Sequence, residues 1–165
     1  MTEGETISQL MSLYALAIDS KQWRLFDQVF TTDVVADYPG SRWENLKSWK
    51  EDFEVAHENY DVTQHLVVNL NWHISGDTGQ AVSQAHFHLI RWGFPGGDMA
   101  AGGAWYDDEL RKTADGWRIS KRMCRVSWLS GNAGVMPGGA SSLSLVPMSQ
   151  GVNDGTLNFI RALEG

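Results

Sequence analysis

At Asp61 the apolar pattern of the chain switches from a helical period to a period of two, and one run carries the switch: Asp61-Val62-Thr63-Gln64-His65-Leu66-Val67-Val68-Asn69-Leu70-Asn71-Trp72. Dense in β-branched and apolar residues, it predicts a strand. Alternation puts Leu66, Val68, Leu70 and Trp72 on one face, read as core, and His65, Val67, Asn69 and Asn71 on a mixed opposite face. An imidazole on a mixed face can serve as a general base if a carboxylate orients it. Asp19, at the end of the first helical pattern, is the candidate carboxylate.

Before the switch the pattern is helical. Thr6 is a plausible cap for a helix whose face repeats through Ile7, Leu10, Met11, Tyr14, Ala17 and Ile18 and which ends near Asp19-Ser20. Trp23, Phe26 and Phe30 predict a second short helix over 21–30, and Asp33 to Tyr38 a short strand stopped by Pro39-Gly40. Trp43, Leu46, Trp49, Phe53 and Ala56 predict a third helix. After the switch, turns at 75–79, 93–97 and 114–116 separate strands predicted over 80–92, 104–113 and 117–128. Three helices followed by a meander of long antiparallel strands is an α+β plan, with the helices on one face of a strongly curved sheet. Such a cone encloses a pocket.

Length and charge narrow the function classes. A chain of 165 residues suits one domain with one core, read here as residues 1–130, followed by a Gly/Ser/Pro-rich tail, 131–165. The tail holds no predicted regular element before residue 143. Leu143, Leu145, Val146, Pro147 and Met148 are placed to lie across the pocket mouth or a neighbouring subunit, and 156–163 to form a last helical turn or two, with a partly ordered tail the alternative reading. With 13 basic against 20 acidic residues the net charge is −7, and the basic residues cluster only over 118–125, which argues against nucleic acid or an anionic membrane as partner. Cys124 is the only cysteine, so an intramolecular disulfide and a cysteine-based zinc site are both excluded. No apolar run approaches the roughly 20 residues that span a bilayer, and the polar, acidic N-terminus is unlike a signal peptide. A cytoplasmic location is the expectation. Eight tryptophans fit a core of large side chains or a cavity lined for an apolar, ring-shaped ligand.

Each chemistry-bearing residue has a structural reading beside the functional one. Tyr14 and Asp19 are five apart, about 140° round a helix, and converge only if the helix ends near Asp19. Asp19 is otherwise a surface carboxylate or cap, and His65 otherwise a structural histidine. His86 and His88 share one strand face, the spacing of a two-histidine metal site, but lack a clear third ligand, so no metal is expected. Tyr106 has the opposite parity from Trp105. Arg122 and Arg125 lie on opposite faces of the last strand, with surface salt bridging the plain alternative.

Residues 5 to 130 resemble the SnoaL-like branch of the NTF2-like superfamily. The resemblance is carried by the helix ending Tyr14-Ala15-Leu16-Ala17-Ile18-Asp19, by Trp23 and Phe26, by Thr63-Gln64-His65, by Ala104-Trp105-Tyr106-Asp107-Asp108-Glu109-Leu110, and by Asp115-Gly116-Trp117-Arg118-Ile119. It implies the cone of a strongly curved mixed or antiparallel sheet packed with three N-terminal helices. The pattern is similar to that of scytalone dehydratase, hexachlorocyclohexane dehydrochlorinase and bile-acid dehydratase, which eliminate water or HCl without a cofactor. By that resemblance Asp19 and His65 stand at the shared Asp-His dyad, Tyr14 at the tyrosine of the bile-acid enzyme, His86 at a second histidine (His88 if the strand slips), and Arg122 at the arginine of the dehydrochlorinase. Ile18 stands where scytalone dehydratase has a tyrosine, and Ala104 and Tyr106 fall near its serine and asparagine, so the scytalone-specific polar set is incomplete.

The expectation is therefore a cofactor-independent lyase of dehydratase type acting on a small apolar or polycyclic substrate. Asp19, His65, Tyr14, His86 and Arg122 are the candidate catalytic residues; Tyr106, His88, Trp105, Trp43 and Phe87 are the candidate substrate contacts. An isomerase or polyketide cyclase on the same cone, or a non-catalytic ligand-binding protein, are the rival readings. The resemblance also implies a homo-oligomer, dimer or trimer.

Overall fold

The computed structural model describes residues 1–139 and 143–164. Helix α1 (Glu3–Asp19) starts at Thr2, whose hydroxyl accepts the Glu5 N–H at 3.2 Å while the Glu5 carboxylate accepts the Thr2 N–H at 2.6 Å. This reciprocal box starts the helix ahead of the expected Thr6 cap, and Thr6 instead donates its hydroxyl to the Thr2 carbonyl. The buried stripe is the expected one: Ile7, Leu10, Met11, Tyr14, Ala17 and Ile18. The second helix is short, a 3-10 turn at Trp23–Leu25 running into α2 (Phe26–Val29). Trp43 belongs not to the third helix but to strand β2 (Ser41–Trp43), which pairs antiparallel with β1 (Phe30–Tyr38). Helix α3 (Leu46–Glu58) begins after Asn45, whose side chain accepts the Ser48 N–H at 2.9 Å.

Strands β3 (Val62–Ser75), β4 (Thr78–Ile90), β5 (Met99–Thr113) and β6 (Gly116–Gly131) form the antiparallel meander. β1 joins parallel to β6, so the sheet is mixed, with the order β2-β1-β6-β5-β4-β3. It is curved and unclosed, and the helices pack into its hollow side around Tyr14, Phe26, Phe30, Trp49 and Ile119. β5 starts at Met99 rather than Ala104 because glycines give neighbouring rings room. A Cβ at Gly102 would meet Phe87 at 2.3 Å, and one at Gly103 would meet Trp128 at 2.1 Å.

The face assignment of β3 needs correction. Leu66 and Val68 are 50% and 40% exposed, while His65 and Val67 turn toward the core. Asn69 takes φ of 53° in a bulge where Asn69 and Leu70 together oppose Ser83, between the pairs Val68↔Gln84 and Asn71↔Val82. The extra residue inverts the alternation, so Leu70 and Ile74 join the side of His65, and the Trp72 ring lies against Gly4 of α1.

The described residues after β6 carry more regular structure than their composition suggests. They make a 3-10 turn at Ala133–Val135, then helices α4 (Met148–Asn153) and α5 (Phe159–Glu164), the latter overlapping the expected final helical span and ending one residue past it. Ala140, Ser141 and Ser142 of the Gly/Ser/Pro-rich run lie outside the described residues. Leu157 and Phe159 form a small second core with Trp105, whose indole N–H donates to the Val146 carbonyl at 2.9 Å. None of the helices described is long and apolar enough to cross a membrane.

Candidate active site

Helix α1 stops at Asp19: Ser20 is its C-cap and Lys21 turns into the left-handed region at φ of 53°. That stop brings the carboxylate onto the start of β3. Asp19 Oδ1 accepts the Thr63 hydroxyl at 3.0 Å and lies 2.7 Å from His65 Nδ1, and Oδ2 accepts the His65 main-chain N–H at 2.7 Å. A carboxylate can only accept here, so Nδ1 carries a proton, and in the neutral ring Nε2 is the nitrogen with the lone pair. The His65 side chain is 9% exposed and the Asp19 side chain 25%.

His65 lines a cavity of about 280 Å³ in the hollow of the sheet. Tyr14 of α1, Tyr38 of β1, Phe87 of β4 and Tyr106 of β5 line it too. Trp43 also faces it, its indole N–H donating to Asp52 at 2.7 Å. Met136, Pro137 and Leu143 from the segment after β6 complete part of the wall. The Tyr14 and Tyr38 hydroxyls are 2.8 Å apart, so one phenol donates to the other. Burial pushes the pKa of Tyr14 up, with the Arg122 charge pulling the other way, and Tyr38 and Tyr106 are pushed well up by burial. These phenols are therefore protonated donors at neutral pH. A more open groove of about 440 Å³, bordered by His73, Gln80, Glu109 and Arg111, shares no residue with this cavity.

Arg122 sits behind the wall rather than in the cavity. Fully buried, it binds Asp108 through Nε at 2.8 Å and Nη2 at 2.7 Å, and its guanidinium lies 4.3 Å from the Tyr14 ring centre and 4.2 Å from that of Tyr106. Burial opposes the Arg122 charge, but the Asp108 carboxylate outweighs it and holds the pKa well above its usual value. The Tyr14 and Tyr106 rings thus stand between the guanidinium and the cavity.

Five of the expected residues, Tyr14, His65, Tyr106, Trp43 and Phe87, line the cavity, and Asp19 and Arg122 touch it through a neighbour. Three do not reach it. Phe87 and Leu89 of β4 face the cavity, so His86 and His88 point to the other side of the sheet, where His86 is exposed and its ring lies 5.9 Å from that of Trp128. Trp105, of opposite parity to Tyr106, is held in the second core. Sequence reasoning passed over Tyr38, His57, Tyr60 and Cys124, all of which line the cavity. Strand parity with Ala36 assigned to the core points Tyr38 inward as well, and the same parity count from Arg122 finds Cys124; no spacing links His57 to the dyad. The Cys124 thiol is pushed up to about 12 by burial, so it is a neutral wall residue. Among the described residues no cluster of three or more His, Cys, Asp or Glu side chains could hold a metal ion.

A family profile described as a SnoaL-like domain matches residues 1–123. The uncharacterised protein Rv2910c of Mycobacterium tuberculosis is 31% identical over 124 residues, covering 71% of this chain and 80% of the relative. Among solved structures, the Kfla4162 protein of Kribbella flavida superposes with a TM-score of 0.73 at 20% identity, over 78% of this chain and 93% of that one. A candidate scytalone dehydratase from Novosphingobium aromaticivorans gives 0.71 at 18% identity (78% and 87% covered), and a hexachlorocyclohexane dehydrochlorinase, LinA type 2, gives 0.69 at 18% identity (81% and 90%). An NTF2-like superfamily protein from Salmonella enterica, at 0.66 and 18% identity over 78% and 89%, shares the same fold.

Proposed function

The chain belongs to the SnoaL-like family, with an NTF2-like fold, and from that premise we propose that it is a lyase of dehydratase type. The observation that carries the reading is the imidazole of His65, oriented by Asp19 at 2.7 Å and lining an apolar, aromatic cavity. Solved structures of the same fold include a protein named as a hexachlorocyclohexane dehydrochlorinase and one named as a candidate scytalone dehydratase, which supports elimination over other proton chemistry.

In this mechanism His65 Nε2 takes a proton from a carbon of the substrate, and Asp19 stabilises the imidazolium that forms. The electron pair left on carbon forms the new double bond, directly or through an enolate, and expels hydroxide from the neighbouring carbon, which leaves as water by taking the proton from the His65 imidazolium and so restores the neutral base. The Tyr14–Tyr38 pair supplies an O–H to the oxygen on which negative charge grows, with the Arg122 charge behind the Tyr14 ring. The cavity, at about 280 Å³, sits at the small end of ligand sites, which suits one or two rings.

The test is a screen of β-hydroxy ketones on one- and two-ring skeletons, reading the new conjugated chromophore, with product structure by NMR to separate loss of water from isomerisation. His65→Ala should abolish turnover and Asp19→Asn should cut it by orders of magnitude, both with the fold retained. A substrate converted at the full rate by either variant overturns the proposal.

A further inference from the structure

The cavity holds a second histidine that the mechanism leaves unused. His57, in the last turn of α3, is 9% exposed and lines the same cavity as His65. Its Nδ1 lies 2.7 Å from the Phe53 carbonyl oxygen. A carbonyl oxygen has no proton to give, so Nδ1 must be the protonated nitrogen and Nε2 carries a lone pair. Aromatic rings fix the imidazole: Trp23 at 5.3 Å, Phe53 at 5.1 Å and Tyr60 at 5.6 Å between centres. Among the described residues Nε2 has no hydrogen-bond partner, and the atom is not fully buried.

We propose that His57 is a specificity-determining residue whose Nε2 accepts a hydrogen bond from a hydroxyl group that the ligand carries besides the one it would lose. The tyrosine hydroxyls around the cavity can donate, whereas the two imidazoles supply its pure lone-pair acceptors. One of these, on His65, faces the reacting carbon in the proposed reaction. The other belongs to a ring that burial holds neutral, its pKa lowered to about 4, so it stays an acceptor across the neutral range. A ligand that buries His57 without a donor leaves that nitrogen desolvated and unpaired, which disfavours wholly apolar rings. The substrate class is thereby narrowed to hydroxylated one- or two-ring compounds. This rests on the cavity assigned to the lyase, not on the elimination itself.

Binding of 2-naphthol and of 2-methylnaphthalene, followed by quenching of tryptophan fluorescence, tests it without turnover. The wild-type protein should hold 2-naphthol about 3- to 10-fold more tightly than its methyl counterpart, the scale of one neutral hydrogen bond. His57→Phe, which keeps a ring in the aromatic cage, should erase that preference, and His65→Phe should keep it. Independently of any variant's folding, 2-naphthol should shift the ¹⁵N signal of His57 Nε2 in the wild-type protein, and 2-methylnaphthalene should not. A preference that survives His57→Phe, a preference lost in His65→Phe, an unmoved His57 signal, or binding of neither compound overturns the proposal. The lyase reading fails separately, through turnover in His65→Ala.

Discussion

Asp19 grips His65 by both ring and backbone: Oδ1 accepts Nδ1–H at 2.7 Å and Oδ2 accepts the main-chain N–H at 2.7 Å. The carboxylate thus fixes the position of the residue as well as the orientation and tautomer of its imidazole. Asp19→Asn replaces one acceptor oxygen by an amide that cannot accept Nδ1–H. In the proposed lyase, turnover should drop by about 10⁴-fold, the scale seen when a carboxylate orienting a catalytic histidine is neutralised. Thr63→Val removes only the third hydrogen bond to Asp19 and should cost far less. Steady-state rates of the two variants beside wild type check the order.

The Asp108–Arg122 pair is a stability element with a sharp signature. Asp108→Ala leaves a buried guanidinium without its counter-charge, and the expected loss is about 3–5 kcal/mol. Replacing both partners by apolar residues, Asp108→Leu with Arg122→Met, should recover most of it. Urea midpoints of the single and double variants measure the difference, and a double variant no better than the single would contradict the account.

Two buried groups pull stability in opposite directions as pH falls. His57, lowered from 6.5 to about 4 by burial, takes up a proton in the unfolded chain before the folded one, so its contribution is lost between about pH 6.5 and 4. Asp107, raised from 3.8 to about 6 by burial, takes up its proton first in the folded chain, so its contribution grows as pH falls from about 6 toward 3.8. The two windows overlap, and the wild type should be nearly flat there with respect to this pair. Asp107→Asn should make the melting temperature fall more steeply below pH 6, and His57→Phe should make it fall less. Melting curves from pH 4 to 8 on the three proteins decide the signs.

Gly102 controls the shape of the cavity from outside it. A methyl group there would stand 2.3 Å from the far edge of the Phe87 ring and 2.9 Å from Leu129, and Phe87 is a cavity wall. Gly102→Ala should push the ring inward, costing about 1–3 kcal/mol by overpacking. It should also weaken binding of two-ring compounds more than of single rings, which a titration series with phenol and 2-naphthol reads directly.

The Asp19–His65 pairing was legible because its two residues sit at positions a sequence marks: the end of a periodic helix and the body of a β-branched run. The α+β plan followed from the same change of period. The inner face of β3 was not legible, since the bulge at Asn69 inverts the alternation midway and leaves Leu66 and Val68 outside. A second bulge hid the partner of Arg122. Counting back from the 113↔116 turn pair matches Asp108 with Lys121, and the irregularity between Glu109 and Leu110 moves it to Arg122. The histidines of β4 failed for a plainer reason: chemistry-bearing residues drew attention, while the apolar Phe87 and Leu89 between and beyond them set which way the strand faces. His57 reaches the cavity through a tertiary approach that no local spacing encodes.

The Asn69 bulge also acts as a lock on strand pairing. Ahead of it β3 sends Thr63, His65 and Val67 inward, and beyond it Leu70 and Ile74, so the strand carries two alternations out of phase. Sliding β3 along β4 by one residue expels both sets, and sliding it by two misplaces the one position where two residues face one. A regular 14-residue strand would have many near-equivalent alignments with its neighbour. This one has a single alignment that keeps His65 opposite Phe87, so the irregularity that obscures the strand in the sequence is what keeps that imidazole in register as the sheet assembles.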